Sequence, residues 1–248
     1  MIVFVTGGHG ALGREVIKQF PKSLSPSKEE LDIRNRDAVY NFIEINKPEM
    51  IIHCAALTSI LPCENNRDLA WETNVTGTRN LVTACLEYNV KCYFIYISTA
   101  CVFYGDRGSY SEDDIPCPKN FYALTKLLGE FTVSESPLKD KLVIRTNFVP
   151  KQEWRYPKAF IDRFGTYLFA EDVARGIKEV TDRKLTGIVH ICGDRKISMH
   201  DLARMTSPDV EPMTLIEYSG TPLTIDMTLT TNRWKKYTIS SVANAGHK

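Results

Sequence analysis

The sequence predicts an α/β fold in which a doubly wound parallel sheet is covered by helices on both faces. Short apolar runs of strand length alternate with segments of helical periodicity over the first 150 residues. The apolar runs are nearly continuous, as expected of strands that are buried on both faces. A glycine-rich turn joins the first apolar run to the first helical segment, which is how a βαβ unit begins.

The elements are expected in a regular order. Strands are predicted at 1–8, 22–25, 50–56, 91–99, 141–149 and 187–193, the second of them weak. Helices are predicted at 11–20, 36–48, 67–89, 121–135, 167–181 and 198–206, with Pro21 after the first and Ser198 capping the last. Elements become short beyond about residue 147. We therefore expect a main domain at 1–150, a small reduced lobe at 151–240 interleaved with the last sheet elements, and a loose tail at 240–248.

Composition narrows the possible functions. The chain has 248 residues, 43% of them hydrophobic, and a net charge of +1, so nothing favours disorder, nucleic acid or a charged membrane surface. The chain has seven cysteines, an odd number, and none of them form a C-x-x-C pair, which indicates free thiols in a reducing cytoplasm. A metal site is not expected, because the Cys and His residues are not clustered in the sequence. Neither a signal peptide nor an apolar run of membrane-spanning length is expected.

The glycine turn has the form of a dinucleotide-binding loop. "VTGGHGALG" places Gly7, Gly10 and Gly13 between the first strand and the first helix. Such a turn lets the backbone approach a pyrophosphate, which the helix N-terminus then stabilises, so the sheet is expected to be of the Rossmann type. The residues expected to hold the cofactor here are Gly7, His9, Gly10, Ala11, Leu12 and Gly13, with His9 acting through its backbone.

The next loop bears on which nicotinamide cofactor is used. An acidic residue about twenty positions after the glycines would mark a ribose 2′-hydroxyl, but "KSLSPSKEELDI" offers Ser25 and Lys28 there. Hydroxyls and a cation suit a 2′-phosphate, which favours NADP, while the glutamates at 29–30 leave NAD open. Asp32 is expected at the adenine ring, with Ile33 beside it.

A tyrosine and a lysine are spaced for proton chemistry. "YALTK" places Tyr122 and Lys126 four residues apart on one helix face. A free phenol has a pKa of about 10, and a nearby ammonium would lower it. Thr99 or Ser98, at the carboxyl end of a strand where open parallel sheets bind ligands, could hydrogen-bond a carbonyl under reduction.

On these motifs the sequence resembles the extended short-chain dehydrogenase/reductases, and within them the dTDP-4-dehydrorhamnose reductase group. The matching segments are "TGGHGALG", "LDIRNRDAV", "IIHCAALTS", "NVTGTRNL", "STACVF", "SEDDIPCPKNFYALTKLLGE", "RTNFV" and "GTYLFAEDVARGI". The match is good through residue 150, patchy to about 205 and poor beyond.

The resemblance implies a role for each matched residue. Tyr122 would protonate the reduced carbonyl oxygen, Lys126 would lower the Tyr122 pKa and hold the nicotinamide ribose, and Thr99 would polarise the carbonyl. Ala55 and Ala56 would line the cofactor, and the substrate would contact Thr58, Asn147 and Phe148. The implied reaction is hydride transfer to C4 of a nucleotide-linked 4-keto-6-deoxy sugar, in a protein that often pairs through its central helices.

Two departures keep alternatives open. Family reductases usually read S-T-D-Y-V-F where this chain has "STACVF", so Ala100 and Cys101 replace an acidic and an aromatic substrate contact, and the segment after "RTNFV" is shortened. Cys101 is either packing, a substrate contact, or the acid/base of a bifunctional 3,5-epimerase/4-reductase, with Lys158 as a candidate second acid/base. GDP-fucose synthase and the epimerase/reductases carry a Cys at this place.

A third hypothesis is a non-catalytic NADP-binding protein, such as the regulatory subunit of methionine adenosyltransferase. The presence together of Tyr122, Lys126 and Thr99 argues against it, since a binding protein does not need all three.

Overall fold

The computed structural model describes residues 1–241, and a five-stranded parallel sheet organises them. The helices are α1 Ala11–Gln19, α2 Arg36–Asn46, α3 Ile60–Asn65, α4 Arg67–Trp71, α5 Gly77–Glu87, α6 Phe121–Ser134, α7 Ala170–Asp182 and α8 Met199–Arg204. The strands are β1 Val3–Thr6, β2 Met50–His53, β3 Tyr93–Thr99, β4 Asp140–Thr146, β5 Phe148–Val149, β6 Lys158–Phe160, β7 Phe164–Gly165, β8 Leu168–Phe169, β9 Gly187–Ile191, β10 Ile197–Ser198, β11 Glu211–Met213 and β12 Asp226–Met227. The α/β class predicted from the sequence is thereby confirmed.

The main sheet has the order β1-β2-β3-β4-β9, with every neighbouring pair parallel. The predicted second strand at 22–25 is reduced to one bridge, between Leu24 and Phe4 on the free side of β1. Pro21 and Pro26 flank this stretch, and a proline has no N–H to give to a sheet, so the strand does not extend.

Alternating residues of the strands face two separate cores, which makes the sheet doubly wound. Val5 and Ile95 pack in a core with residues of α1 and α7, while Phe4 and Phe94 pack in a second core with residues of α2 and α5. Because both faces are covered, the strands read as continuous apolar runs.

The predicted long helix at 67–89 is interrupted, and this prediction was wrong in detail. A π-helical turn, Glu72–Thr76, lies between α4 and α5. A π turn has one residue more than an α turn and is frequent at functional sites. Leu69, Thr73 and Thr76 keep the spacing of one α-helical face through this turn, so the interruption could not be predicted from the residue pattern.

Other boundaries are shorter than predicted. The strand expected at 141–149 breaks at Asn147 into β4 and β5, and β5 pairs with β8. The helix expected from residue 167 begins at Ala170, because Leu168 and Phe169 form β8. Within the expected tail, Ser240 donates a backbone N–H to Asp172 at 3.0 Å, and 242–248 lie outside the described residues.

Beyond residue 150 short strands lie outside the main sheet, as the three-stranded sheet β10-β7-β12 and the pair β11-β6, together with α8. Met227 of β12 contacts Cys101, just beyond the carboxyl end of β3. From the same part of the chain, β9 pairs with β4 in the main sheet and α7 packs against that sheet, and the division into a main domain and a small lobe stays a prediction. None of the helices in the described part of the chain has the length and apolar character of a membrane span.

Candidate active site

The glycine turn adopts the geometry that a bound pyrophosphate requires. Gly7 has φ +67°, a conformation that favours glycine, and its carbonyl accepts the Gly10 N–H at 2.9 Å. A Cβ on Gly13 would lie 2.1 Å from the Gly7 oxygen, so α1 packs tightly against the turn. Gly10 caps α1 and has no side chain to bond the first-turn amides, so the turn fits a dinucleotide phosphate group.

The end of β2 lies against this turn. A Cβ on Gly7 would come within 2.7 Å of the Ala55 Cα, and the Ala55 N–H donates to the Thr6 hydroxyl at 3.2 Å. Ala55 and Ala56 are half-buried directly after the strand, and Leu12 is buried behind the turn. The cofactor residues predicted in the glycine turn and after β2 are therefore neighbours in space.

In the loop predicted to distinguish NADP from NAD, some of the side chains already bond to other groups of the protein. Ser25 packs against Gly8 and donates its hydroxyl to the Val5 carbonyl at 3.1 Å, while Lys28 is exposed. Asp32 receives a charge-assisted bond from the Arg34 Nε at 2.9 Å, and this bond is the main reason why its pKa is lowered. Arg34 was not among the residues predicted from the sequence. It donates to the Asp32 carboxylate, which was expected to hydrogen-bond the adenine ring. Ile33 is buried against Gly77.

The reactive hydroxyls meet at the carboxyl end of β3. Thr99 ends β3, and its Oγ1 accepts the Cys101 N–H at 3.2 Å. Asn120 caps α6 by accepting the Ala123 N–H at 2.9 Å, which fixes the first turn where Tyr122 lies. The Thr99 hydroxyl lies near the Tyr122 hydroxyl and acts to lower the Tyr122 pKa, against the larger effect of burial.

Lys126 follows one helical turn later and is buried. Its ammonium lies 4.2 Å from the centre of the Tyr96 ring. Burial lowers the pKa of Lys126 to about 8, and the Glu130 carboxylate acts in the opposite direction. Burial raises the pKa of Tyr122 because it desolvates the phenolate, and the Thr99 hydroxyl, which favours the phenolate, does not offset this. The role predicted for Lys126 in lowering the Tyr122 pKa stays a prediction.

A buried ion pair between Glu130 and Arg145 lies next to Lys126. Glu130 accepts the Ser98 hydroxyl and is bound by the Arg145 guanidinium at 2.7 Å, with both charged side chains almost fully buried. Glu130 lies one turn after Lys126 on α6. Sequence reasoning missed this pair, because the partners lie on different elements.

The π-helical turn contains Asn74, another site residue that was not predicted from the sequence. Asn74 accepts the Leu57 N–H at 2.8 Å and donates to the Leu57 carbonyl at 3.0 Å and to Thr125 Oγ1 at 2.9 Å. It thus joins the loop after β2 to α6, between the cofactor side and the reactive side of the site. "NVTGTRNL", in which it lies, was noted only for the family resemblance.

The predicted substrate residues are spread over the lobe side of the sheet. Thr58 is exposed after β2, and Phe148 is half-buried in β5. Asn147 lies between β4 and β5, with its amide beside Tyr167 and Gly165. Lys158 is exposed on β6 and 3.6 Å from Glu211, so the structure does not bring it to Thr99. These assignments stay predictions.

Cys101 is buried two residues beyond Thr99. Its sulfur lies 3.7 Å from the Met227 sulfur, and both side chains belong to the core that includes Tyr167. Its thiol is also one of the groups that raise the Tyr122 pKa, so it is close to the reactive phenol. Cys101 therefore packs in the core and also lies next to the reactive phenol.

Comparison with known proteins agrees with this geometry. The family described as RmlD substrate binding domain matches residues 1–214. Methionine adenosyltransferase 2 subunit beta of Pongo abelii is 30% identical over 237 residues, which cover 81% of this chain and 70% of that protein. A dTDP-4-dehydrorhamnose reductase of Aggregatibacter actinomycetemcomitans is 30% identical over 229 residues, covering 81% and 76%.

Solved structures repeat the fold. A dTDP-4-dehydrorhamnose reductase of Clostridium acetobutylicum superposes with a TM-score of 0.84 at 30% identity, covering 93% of this chain and 90% of that one. The Bacillus anthracis dTDP-4-dehydrorhamnose reductase, in complex with NADP, has a TM-score of 0.86 at 24% identity, covering 97% and 95%. The predicted family is confirmed: the chain belongs to the RmlD family, the dTDP-4-dehydrorhamnose reductase group of the extended short-chain dehydrogenase/reductases.

Proposed function

We propose that the protein reduces the 4-keto group of a nucleotide-linked 4-keto-6-deoxy sugar with NADPH. The proposal rests on one observation, the arrangement of Thr99, Tyr122 and Lys126. Thr99 and Tyr122 lie together at the carboxyl end of β3, the sheet edge that also carries the glycine turn, and the buried Lys126 follows Tyr122 by one turn of α6. Relatives named dTDP-4-dehydrorhamnose reductase and dTDP-4-keto-6-deoxy-D-glucose reductase support this substrate class.

NADPH would be held by the glycine turn, Ala55 and Lys126, and when bound it supplies the hydride. The NADP in the Bacillus anthracis relative supports this choice over NADH. Ser25 and Lys28 remain the proposed 2′-phosphate contacts, and Lys28 is the one with a free, exposed cation.

The chain's own groups would handle the proton. Thr99 donates its hydroxyl hydrogen to the substrate carbonyl and polarises it. Because burial raises the Tyr122 pKa, the phenol stays protonated at neutral pH and can give its proton to the carbonyl oxygen as negative charge develops there. Lys126, still mainly charged near neutral pH, stabilises the phenolate that results.

The deciding experiment follows NADPH absorbance with dTDP- and UDP-linked 4-keto-6-deoxyglucose, each with and without prior 3,5-epimerisation. Tyr122→Phe should lower kcat by about 10²–10⁴-fold and leave the Kd for NADPH nearly unchanged, since only the proton donor is lost. Tyr88→Phe, at the end of α5, is the matched control. Turnover that survives in Tyr122→Phe would remove the phenol from its role.

The same assay in D2O tests the other hypotheses. Deuterium at C3 and C5 that is lost in Cys101→Ser would indicate the bifunctional epimerase/reductase. Tight NADPH binding without turnover of any of the four substrates would indicate a regulatory protein, in line with the methionine adenosyltransferase subunit among the relatives. The assembled Thr99, Tyr122 and Lys126 favour turnover.

We also propose that the protein is a homodimer in the cytoplasm. Exposed apolar side chains lie on the two central helical segments, with Trp71 on α4 and Leu124 and Phe131 on α6. The seven free cysteines suit a reducing compartment.

A further inference from the structure

Two buried polar groups on neighbouring strands of the main sheet have no hydrogen-bond partner. They are the Nη1 of Arg145, on β4, and the Nε2 of His190, on β9, and neither atom has a partner among residues 1–241. Arg145 is 2% exposed and His190 is 0% exposed. Buried polar groups in native proteins are nearly always bonded, so two exceptions on adjacent strands indicate a small polar ligand between them.

The two side chains leave the sheet side by side. Arg145 and His190 are register partners in the parallel ladder of β4 and β9, so both project from the same face. The Phe103 ring packs against both, with its centre 5.0 Å from the guanidinium carbon of Arg145 and 5.9 Å from the centre of the His190 ring. Phe103 is itself fully buried, so the two groups are closed off from bulk solvent on this side.

The hydrogen-bonding roles of the two groups are complementary. His190 Nδ1 lies 2.8 Å from the Thr230 carbonyl oxygen, which can only accept, so Nδ1 carries the ring proton. Burial lowers the pKa of His190, so the ring is neutral near neutral pH and its Nε2 is an acceptor. Arg145 Nη1 can only donate. The two atoms form no direct hydrogen bond, and one water molecule would accept from the guanidinium and donate to the imidazole.

The Arg145 guanidinium connects this place to the reaction site. Its Nε and Nη2 donate to the Glu130 carboxylate at 3.0 and 2.7 Å, so Nη1 is the part of the fork that does not touch Glu130. Glu130 in turn favours the charged form of Lys126. A bond at Nη1 would therefore hold the guanidinium in the plane in which it binds Glu130.

The charge that acts on Lys126 comes from Glu130. The other titratable groups that face Lys126 lie on β2, on the loop after it, on α3, on β3 and one turn earlier on α6, and they are His53, Cys54, Cys63, Tyr96 and Tyr122. Burial raises the pKa of both thiols and both phenols and lowers that of His53, so all five are neutral near pH 8. Moving the Glu130 carboxylate should therefore move the titration of Lys126.

We propose that His190 is a positioning residue for Lys126, acting through a bound water molecule that accepts from Arg145 and donates to His190 Nε2. The water fixes the guanidinium, and the guanidinium fixes the Glu130 carboxylate beside the ammonium. His190 is itself anchored, because the Glu112 carboxylate accepts its backbone N–H at 2.9 Å. The consequence for turnover rests on the proposed function, whereas the effect on the Lys126 titration does not.

Two replacements of His190 test the inference, because each keeps one of the two ring nitrogen positions. The amide of asparagine is as many bonds from Cα as Nδ1, and that of glutamine as many as Nε2, so only glutamine keeps an acceptor for the water. The Lys126 titration is followed by NMR of isotope-labelled lysine and assigned with Lys126→Met. In His190→Asn its midpoint should fall by at least about half a pH unit, since a less firmly placed carboxylate favours the ammonium less. In His190→Gln it should stay at the wild-type value.

The control is His200→Asn on α8, where the ring Nε2 lies 3.2 Å from the Val210 carbonyl, and it should leave the Lys126 titration unchanged. An unchanged titration in His190→Asn, or an equal fall in both His190 variants, would overturn the inference. If His190→Asn does not fold, as a thermal melt would show, a crystal structure of the wild type decides. A water molecule bonded to both Arg145 Nη1 and His190 Nε2 would support the inference, and a direct contact between the two side chains would overturn it.

Turnover separates this inference from the proposed function. If the wild type reduces the keto sugars, the alkaline limb of kcat/KM in His190→Asn should fall by the same amount as the NMR midpoint. A Lys126 titration that falls in His190→Asn, in a protein that reduces none of the keto sugars, would refute the proposed function and leave this inference standing. Turnover with an unchanged Lys126 titration would have the opposite meaning.

Discussion

At the scale of single residues, the charge on Lys126 depends on two opposing effects. Burial favours the neutral amine and brings its pKa to about 8, while the Glu130 carboxylate one turn away favours the ammonium. Glu130 in turn is held by Arg145 and Ser98. The buried ion pair is therefore a positioning device that also keeps Lys126 charged at the pH where its charge is needed.

We predict that Glu130→Gln shifts the alkaline limb of the kcat/KM profile to lower pH. Without the carboxylate the Lys126 pKa falls further, so the ammonium is lost sooner as pH rises. The variant should also unfold about 3–5 kcal/mol more easily, because Arg145 is left as an unpaired buried charge. A pH–rate profile and urea unfolding measure the two effects. An alkaline limb that stays in place would contradict the role given to Glu130.

The buried His53 makes the free energy of unfolding depend on pH in the acid range. It is buried between the Thr6 and Thr78 hydroxyls, at 2.7 and 3.0 Å, and burial lowers its pKa to about 3. Between that value and about 6.5 the unfolded chain binds a proton that the folded chain does not, so stability falls as pH drops through this window.

His53→Gln should remove this part of the acid sensitivity. At pH 4.5 the histidine contributes a loss of about 3 kcal/mol relative to pH 7, which the variant lacks. Urea unfolding of both proteins at the two pH values gives the difference. Equal losses in both would show that other groups account for the acid effect.

At the scale of elements, the π-helical turn couples two parts of the site through Asn74. The side chain bonds both backbone groups of Leu57 and the Thr125 hydroxyl. Asn74→Ala would remove three hydrogen bonds and leave the Leu57 N–H without a partner, so we predict a loss of about 2–4 kcal/mol in the free energy of unfolding. Asn46→Ala, at the end of α2, is the control and should cost less than about 1 kcal/mol, because it breaks one peripheral bond to Phe42. Equal effects of the two substitutions would contradict the coupling.

The sequence predicts those features of the elements that depend on local pattern. The glycine turn, the strand ending in Thr99 and the Tyr122–Lys126 spacing each follow from residues within one turn or strand, and the structure has all three. The π turn does not follow, because the spacing of residues across it is still that of one α-helical face. Arg145 and Glu130 do not follow either, because the burial of a charge depends on residues more than a dozen positions away.

At the scale of the whole molecule, the proposed dimer makes a direct prediction. Phe131 is 52% and Leu124 is 37% exposed on the same helix, seven residues apart and therefore on one face. Phe131→Asp should place a charge in the interface and convert the dimer to a monomer, as measured by light scattering after gel filtration. Ile216→Asp changes an apolar side chain that is 95% exposed elsewhere and should leave the mass unchanged. A wild-type protein that is already monomeric would contradict the proposal.

The π-helical turn also bears on insertions and deletions. Because Glu72–Thr76 contains one residue more than an α-helical turn needs, removing any one of these residues would let the helix close into regular α geometry. The helices on either side would keep nearly their present orientation, because the extra residue is taken up within the one turn, but Asn74 would lose the local geometry that brings its side chain to Leu57. We expect this short segment to tolerate changes of exposed residues such as Glu72 far better than a change in its length.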